Sequence, residues 1–439
     1  MHKSLYDPAI PLGIWIYLYA FTSVTNYVFE VESSGLTIAS NLALLVWAFF
    51  SGGVLRVTNK YRVCLADILV LMISILIVVH RAAVSGMTKA SFSIALNILV
   101  GYYLTRRLRG NEIASLLRIM FVCGFGVMAI AFTNLPQVWD SWQTEYARPL
   151  LYGSRANTVI FAYYVGLFAV HLFAILQRPI NDNRVNIQLI LLLVGSMLVL
   201  VAFSGKTTLA AVSIIGGVLI VASYWSPKRL RIFWFCGFVA VGTLFLARAP
   251  EKLLNFYAFV NVKEIIEATS IPIIPQVIDP DSVITSDIGV DENNSMAIRI
   301  MLIRNGFYFF RESFLFGYGP DKQIVPHSTI IQIFYEYGIV AGAAFVALLL
   351  QVISKLKKIA YDTKAVLRNE AWILMAVYIY VVIYDQVLGS VANLSQFFIL
   401  TGAAVTAIAA EKRLKAHAAK HHLPSDSDLS TLLVAEGRP

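Results

Sequence analysis

Charge is scarce in this 439-residue chain, with Asp, Glu, Lys and Arg together at 14%, where soluble domains carry about 25%. With 58% of its residues hydrophobic, the chain has too few polar side chains to cover a water-soluble globule, and that class is excluded. A mean hydropathy of +0.71 points to a polytopic membrane protein. Cysteine is scarcer still. Cys64, Cys123 and Cys236 each lie inside an apolar run without ligand spacing, which excludes a disulfide framework or a zinc site and leaves small buried hydrophobes. No internal repeat with a period of about 20–50 residues is visible, so a solenoid is excluded too. The first apolar run lacks a small-residue cleavage site and more spans follow at once, so it is expected to stay as the first helix.

What the chain has is apolar windows near the roughly 20 residues that cross a bilayer. They fall at 9–30, 35–55, 63–80, 89–105, 113–133, 157–177, 187–203, 207–225, 231–248, 328–352, 371–388 and 392–410. The seventh and eighth are parted only by Ser204, Gly205 and Lys206. The net charge of +9 is not a nucleic-acid face, because Lys and Arg sit in short loops between the windows. Alternate loops hold Arg56, Lys60 and Arg62; Arg106, Arg107 and Arg109; Arg178 and Arg184; Lys228, Arg229 and Arg231; Lys355, Lys357 and Lys358; and Lys412, Arg413 and Lys415. With twelve spans all of these fall on one side, which the positive-inside rule makes cytoplasmic, together with both termini.

Four regions follow: spans one to nine over 1–248, an external loop over 249–327, spans ten to twelve over 328–410, and a tail over 411–439 that loses its apolar periodicity and is expected to be largely disordered beyond its first basic turns. In the loop, helices are expected near 251–268 and 295–312, the second capped by Asn294 or Ser295. A Pro- and Asp-rich irregular stretch separates them.

The chemistry is expected at residues 295–342. An amphipathic basic stretch leads to the turn Gly317-Tyr318-Gly319-Pro320, and His327 then stands directly before a long apolar helix. The order of Arg299, an aromatic-rich helix, F-G-Y-G-P and H-S-x-x-x-Q-x-x-x-E-x-G-x-x-G resembles the large-loop signature of the O-antigen polymerase and ligase superfamily. Arg299, Gly317, Gly319, His327, Gln332, Glu336, Gly338 and Gly342 fall on that signature's positions. Ser328 stands where the family usually has Asn, and Ser313 near its usual Pro.

The resemblance implies an all-α polytopic membrane protein of about 12 transmembrane helices with one large periplasmic loop containing short helices, in a bacterial inner membrane. It implies an undecaprenyl-diphosphate-linked glycan as donor, a second lipid-linked glycan or lipid A-core as acceptor, membrane lipids around the site, and a chain-length regulator protein as a further partner. No cofactor, metal or nucleic acid is expected. His327 would be the base, since a neutral imidazole can take a sugar hydroxyl's proton near neutral pH, and nearby arginines would disfavour its charged form.

Cations would hold the diphosphate. Arg299 is the matched one. Arg304, five residues on, points to another helix face, whereas Arg304 and Arg311 share a face and have a plain alternative role, reaching lipid head groups. Arg148 and Arg155, ahead of Asn157, resemble the family's R-x-x-G…N segment. Lys206 stands where the family usually has Arg, and offers a point charge in place of a planar fork. Its setting, FSGKTT, is not a phosphate-binding Gly-rich loop, because Leu200 occupies the first Gly position and a membrane helix replaces the strand-to-helix context. The Asp279-Pro280-Asp281 motif with Asp287, Asp291 and Glu292 reads as a solvated turn more readily than a metal site, and so do Glu30 and Glu32. Asp67, Arg118, His171, Glu336 and Asp385 lie inside windows without forming a relay, and Glu336 reads as structural. A lipid-linked oligosaccharide flippase would also show a dozen spans, but its cations would more often line a path than gather at one boundary.

Overall fold

The computed structural model describes residues 7–29, 33–51, 63–85, 89–136, 138, 151, 155–177, 183–203, 303–317 apart from 305, 309 and 312, 328–388 and 394–421. Among them there is no strand. The helices are α1 (Ala9–Phe29), α2 (Ser33–Ser51), α3 (Leu65–Ser85), α4 (Lys89–Arg106), α5 (Gly110–Thr133), α6 (Arg155–Leu176), α7 (Asn183–Ala202), α8 (Thr329–Tyr361), α9 (Arg368–Leu388) and α10 (Leu394–His421). Each coincides with one of the apolar windows. The windows at 207–225 and 231–248, and the expected helix at 251–268, lie outside the described residues. Of the described helices, Gly110–Thr133, Val159–Leu176 and Thr329–Tyr361 are long and apolar enough to cross a membrane. The chain is thus all-helical where described, and three of its helices have the length and apolar composition that a membrane span needs.

Hydrogen bonds between distant segments fix which helix ends lie together. Asp67, in the first turn of α3, accepts from Tyr102 Oη at 2.8 Å and from Arg106 Nε at 3.1 Å at the end of α4, and its other oxygen accepts from the Cys64 amide at 2.7 Å. Thr406 of α10 donates to the Thr105 carbonyl at 3.0 Å, and the Leu367 amide, directly ahead of α9, donates to buried Glu411 at 3.0 Å. One end of the bundle therefore gathers the start of α3, the ends of α4, α8 and α10, and the start of α9. It is also the basic end, with Arg107, Arg109, Lys355, Lys357, Lys358, Lys412 and Arg413. Asp67 is a structural clamp: a buried carboxylate held by three donors is neutralised in place.

The opposite end is tied by aromatic and amide groups. Tyr163 Oη of α6 donates to Gln396 Oε1 at 2.9 Å, Gln396 Nε2 donates to Tyr164 Oη, and Tyr380 Oη of α9 donates to the Tyr163 carbonyl at 2.7 Å. Polar side chains that satisfy one another hold helices together where apolar contact gives no preference over lipid. Further along α6, Phe168 and His171 reach the level of Phe121 in α5, at ring-centroid separations of 5.4 and 5.9 Å. Those two levels set the direction of α6, and Arg155 at its start lies at the end opposite the basic one.

The last helix runs past residue 410, where its apolar window ends, to His421. The continuation AEKRLKAHAAKH is rich in strong helix formers and is anchored: Glu411 is buried, and Lys415 pairs with Asp362 across the α8–α9 turn. Residues 411–421 are thus the basic turns that open the tail, and they are helical; the stretch beyond them, where disorder is expected, lies outside the described residues. The Lys415 hydrogen bond, joined by the Lys364 amide, holds the Asp362 carboxyl below its usual range, and Asp362 in turn holds Lys415 above its own. The pair's contribution is therefore present at neutral pH, lost as pH falls through the lowered Asp362 value and lost as pH rises through the raised Lys415 value. Being largely exposed, it contributes little. Glu411→Ala should lower detergent-solubilised stability by about 1.5–3 kcal/mol, the range for a hydrogen bond to a charged group. Lys415→Ala should cost below about 1 kcal/mol. Thermal unfolding of the two variants checks the order, and equal losses would remove the assignment of Glu411 as the anchor.

Candidate active site

His327 lies outside the described residues, which resume at Ser328. Ser328 is the N-cap of α8, with extended backbone (φ −147°, ψ 116°) and a side-chain oxygen that accepts from the Ile331 amide at 3.4 Å. A hydroxyl suits this place because it can satisfy a first-turn amide that has no helical partner. His327 thus enters directly ahead of a helix start. One turn in, Gln332 Nε2 donates to Glu336 Oε1 at 2.6 Å, both residues buried. The Q-x-x-x-E spacing is a brace along the inner face of the helix, as read for Glu336.

Two residues beyond Glu336 the helix breaks. Gly338 has φ 80° and ψ −176°, a region essentially reserved for glycine. In an unbroken helix the Ile339 amide would bond the carbonyl four residues back; here it donates to Phe314 at 2.9 Å. The turn it reaches is closed by Gly317, with φ 75°. Its amide donates to the Ser313 carbonyl at 2.8 Å, and Ser313 Oγ donates back to the Gly317 carbonyl at 2.7 Å. A Cβ on Gly317 would sit on the Glu336 carbonyl and 2.6 Å from the Gly338 amide nitrogen, and one on Gly338 would overlap the Leu315 carbonyl and lie 2.9 Å from the Gly317 amide nitrogen. The two glycines are therefore two halves of one joint, which exists only because neither has a side chain.

Aromatic rings seal it. Phe310 packs edge-on against Phe334 at 5.5 Å and tilted against Phe314 at 5.1 Å, and Phe334 lies over the bare face of Gly342. The signature positions Gly317, Gln332, Glu336, Gly338 and Gly342 are thus one interlocked body. Ser313 closes the turn with its hydroxyl.

The cations are only partly placed. Arg304, half-buried, and Arg311, exposed, lie on the helical stretch 303–311 that feeds the joint. Arg155 is the first residue of α6, at the same end of the bundle as Ser328 and the joint. Arg299, Arg148 and Lys206 lie outside the described residues, as do Glu30, Glu32 and the aspartates of 279–291. Among the described residues no group of three His, Cys, Asp or Glu side chains is placed to hold a metal ion.

Two features were not legible beforehand. The break at Gly338 left a trace, the Gly-x-x-x-Gly spacing of Gly338 and Gly342 inside an apolar run. His80, near the far end of α3, stands edge-on to Tyr337 at 5.7 Å, beside the break, and nothing in its own neighbourhood of sequence marks it.

The fold and this joint define a class, a chain all-helical where described, with helices long and apolar enough to cross a membrane and a glycine turn locked onto a broken helix. No protein-family model matches the chain, and neither does any curated protein.

Proposed function

We propose that the chain is a glycosyltransferase of the bacterial inner membrane, of about 12 spans, with both termini in the cytoplasm and its active site facing the periplasm. It would polymerise a surface polysaccharide, O-antigen or exopolysaccharide, from undecaprenyl-diphosphate-linked repeats. The observation that carries the reading is the Gly317–Gly338 joint. It gives a physical role to the residues matched in the polymerase and ligase signature, and it sits opposite the basic, cytoplasm-like end.

The reaction is a single inverting displacement. His327 takes the proton of the acceptor hydroxyl, whose oxygen forms a bond to the anomeric carbon as the bond from that carbon to the diphosphate oxygen breaks. The electron pair leaves with undecaprenyl diphosphate. Arg299 and Arg155, supported by Arg148, Arg304 and Lys206, stabilise that departing charge, since fixed cations making charge-assisted hydrogen bonds supply what a divalent ion supplies elsewhere. The acidic stretch near 279–292 disfavours strongly anionic lipid A-core as acceptor, and so favours polymerisation over ligation.

Purified protein given lipid-linked repeat alone should produce a ladder of lengthening lipid-linked glycans. Transfer only after lipid A-core is added would establish a ligase instead. Movement of the lipid-linked glycan across liposomes, without any new glycosidic bond, would replace the enzyme reading with a flippase.

A further inference from the structure

Helix α8 is 33 residues long, about 50 Å at 1.5 Å per residue, against a hydrocarbon core of about 30 Å. The break divides it, and the part from Ile339 onward is about 34 Å long. Its last two turns carry Lys355, Lys357 and Lys358, all exposed, residues that mark a head-group boundary about 24–29 Å from Ile339. Ile339 therefore lies at the opposite boundary. Because its amide bonds the Phe314 carbonyl at 2.9 Å, the turn 313–317 is held at that boundary as well.

At this level the turn displays apolar side chains outward. Phe307 is 56% exposed, Phe314 49%, Leu315 59% and Phe316 74%, while the adjoining Gly317 is buried. Phe310 faces inward onto Phe334, so the segment has an anchored side and an outer side. The outer side is fixed in place by the glycine joint. Exposed Arg311 accompanies it. Rigid aromatic and aliphatic groups with a cation, set at the edge of the hydrocarbon, match a bilayer interface in depth, polarity and charge.

We propose that the described residues of 303–317 form an interfacial wedge seated in the leaflet at this end of the bundle, with Phe307, Phe314, Leu315 and Phe316 among the acyl chains and Arg311 at the phosphates of anionic lipid. The wedge rests on the chain's being membrane-embedded and holds whichever reaction the site performs. Through the Phe314 and Leu315 backbone it makes the leaflet a wall of the joint that leads into α8.

The test uses the full chain with Cys64, Cys123 and Cys236 replaced by Ser, carrying one nitroxide at Phe316→Cys or, as a second position, Phe307→Cys. The protein is placed in vesicles of phosphatidylethanolamine and phosphatidylglycerol, and label accessibility to oxygen and to a water-soluble nickel chelate is read by power saturation. Leu350→Cys, on the outer face of α8 and 65% exposed, is the lipid reference, and exposed Lys364→Cys the water reference. Both wedge labels should show an oxygen-to-nickel ratio several-fold above that of Lys364→Cys and below that of Leu350→Cys, which lies about 16 Å deeper along α8. Replacing phosphatidylglycerol by phosphatidylcholine should shift them toward the aqueous ratio, and Arg311→Gln should remove that lipid dependence. Ratios matching Lys364→Cys would overturn the wedge. Protection from both reagents would overturn it too, by showing that protein covers the patch, and indifference to lipid charge would overturn the role given to Arg311.

Discussion

His327→Ala should leave the protein in the membrane at its normal level while product from a lipid-linked donor falls by about 10²–10⁴-fold, the usual loss on removing a general base. The fold should survive because the N-cap of α8 is Ser328, not His327, and the joint is built from 313–317 and 336–339. Arg299→Ala should be comparably severe, since the diphosphate would leave without its matched cation. Activity should persist in EDTA. Turnover of His327→Ala at the normal rate would end the base assignment, and loss of activity on chelation would shift attention to Glu30, Glu32 and the aspartates of the 279–291 stretch.

Gly338→Ala should be the most damaging of the helix glycine substitutions. Its backbone conformation costs a residue with a Cβ about 1–3 kcal/mol, and the new methyl would also overlap the Leu315 carbonyl, a backbone atom that cannot swing aside. The turn must then lift off α8, taking Arg304 and Arg311 with it. For Gly342→Ala the nearest atoms belong to the Phe334 ring, which can rotate, so its loss should be smaller. Gly195→Ala in α7 meets nothing within 4 Å and should be neutral or slightly stabilising, as expected of Gly to Ala in a helix. Thermal unfolding in detergent and product-ladder length should both follow that ranking. A Gly338→Ala protein as stable and active as Gly195→Ala would mean that the joint is not needed.

The helices were legible because their apolar composition is lipid chemistry written into sequence, and each described helix lies on a window. Their ends were not, because charged residues hide continuation. Helix α8 runs on to Tyr361 with Leu356, Ile359 and Ala360 buried behind exposed Lys355, Lys357 and Lys358, and α10 runs on through Glu411 to His421. Asp67 read as a charge within a span, yet it sits in a first turn where Cys64, Tyr102 and Arg106 engage it. At the site, the positions of Gly317, Gly338 and Gly342 were visible as a pattern. What they do was not, since the contact between 313–317 and 336–339 joins segments that local periodicity treats separately, and a hydropathy window averages a single broken residue away.

The bond from Thr406 to the Thr105 carbonyl spans 301 positions of sequence, and this sets a schedule for biogenesis. During synthesis α3 and α4 can pair early through Asp67 and Arg106, arriving in the bilayer as a hairpin whose charges already cancel. The face of α4 that carries Thr105 must then wait for the last helix to be made, and the Gly402 surface of α10 fits against Thr105 and the Tyr102 carbonyl. A chain that ends before Leu394 would therefore leave an open seam along α4, with the Thr105 carbonyl lacking its Thr406 donor.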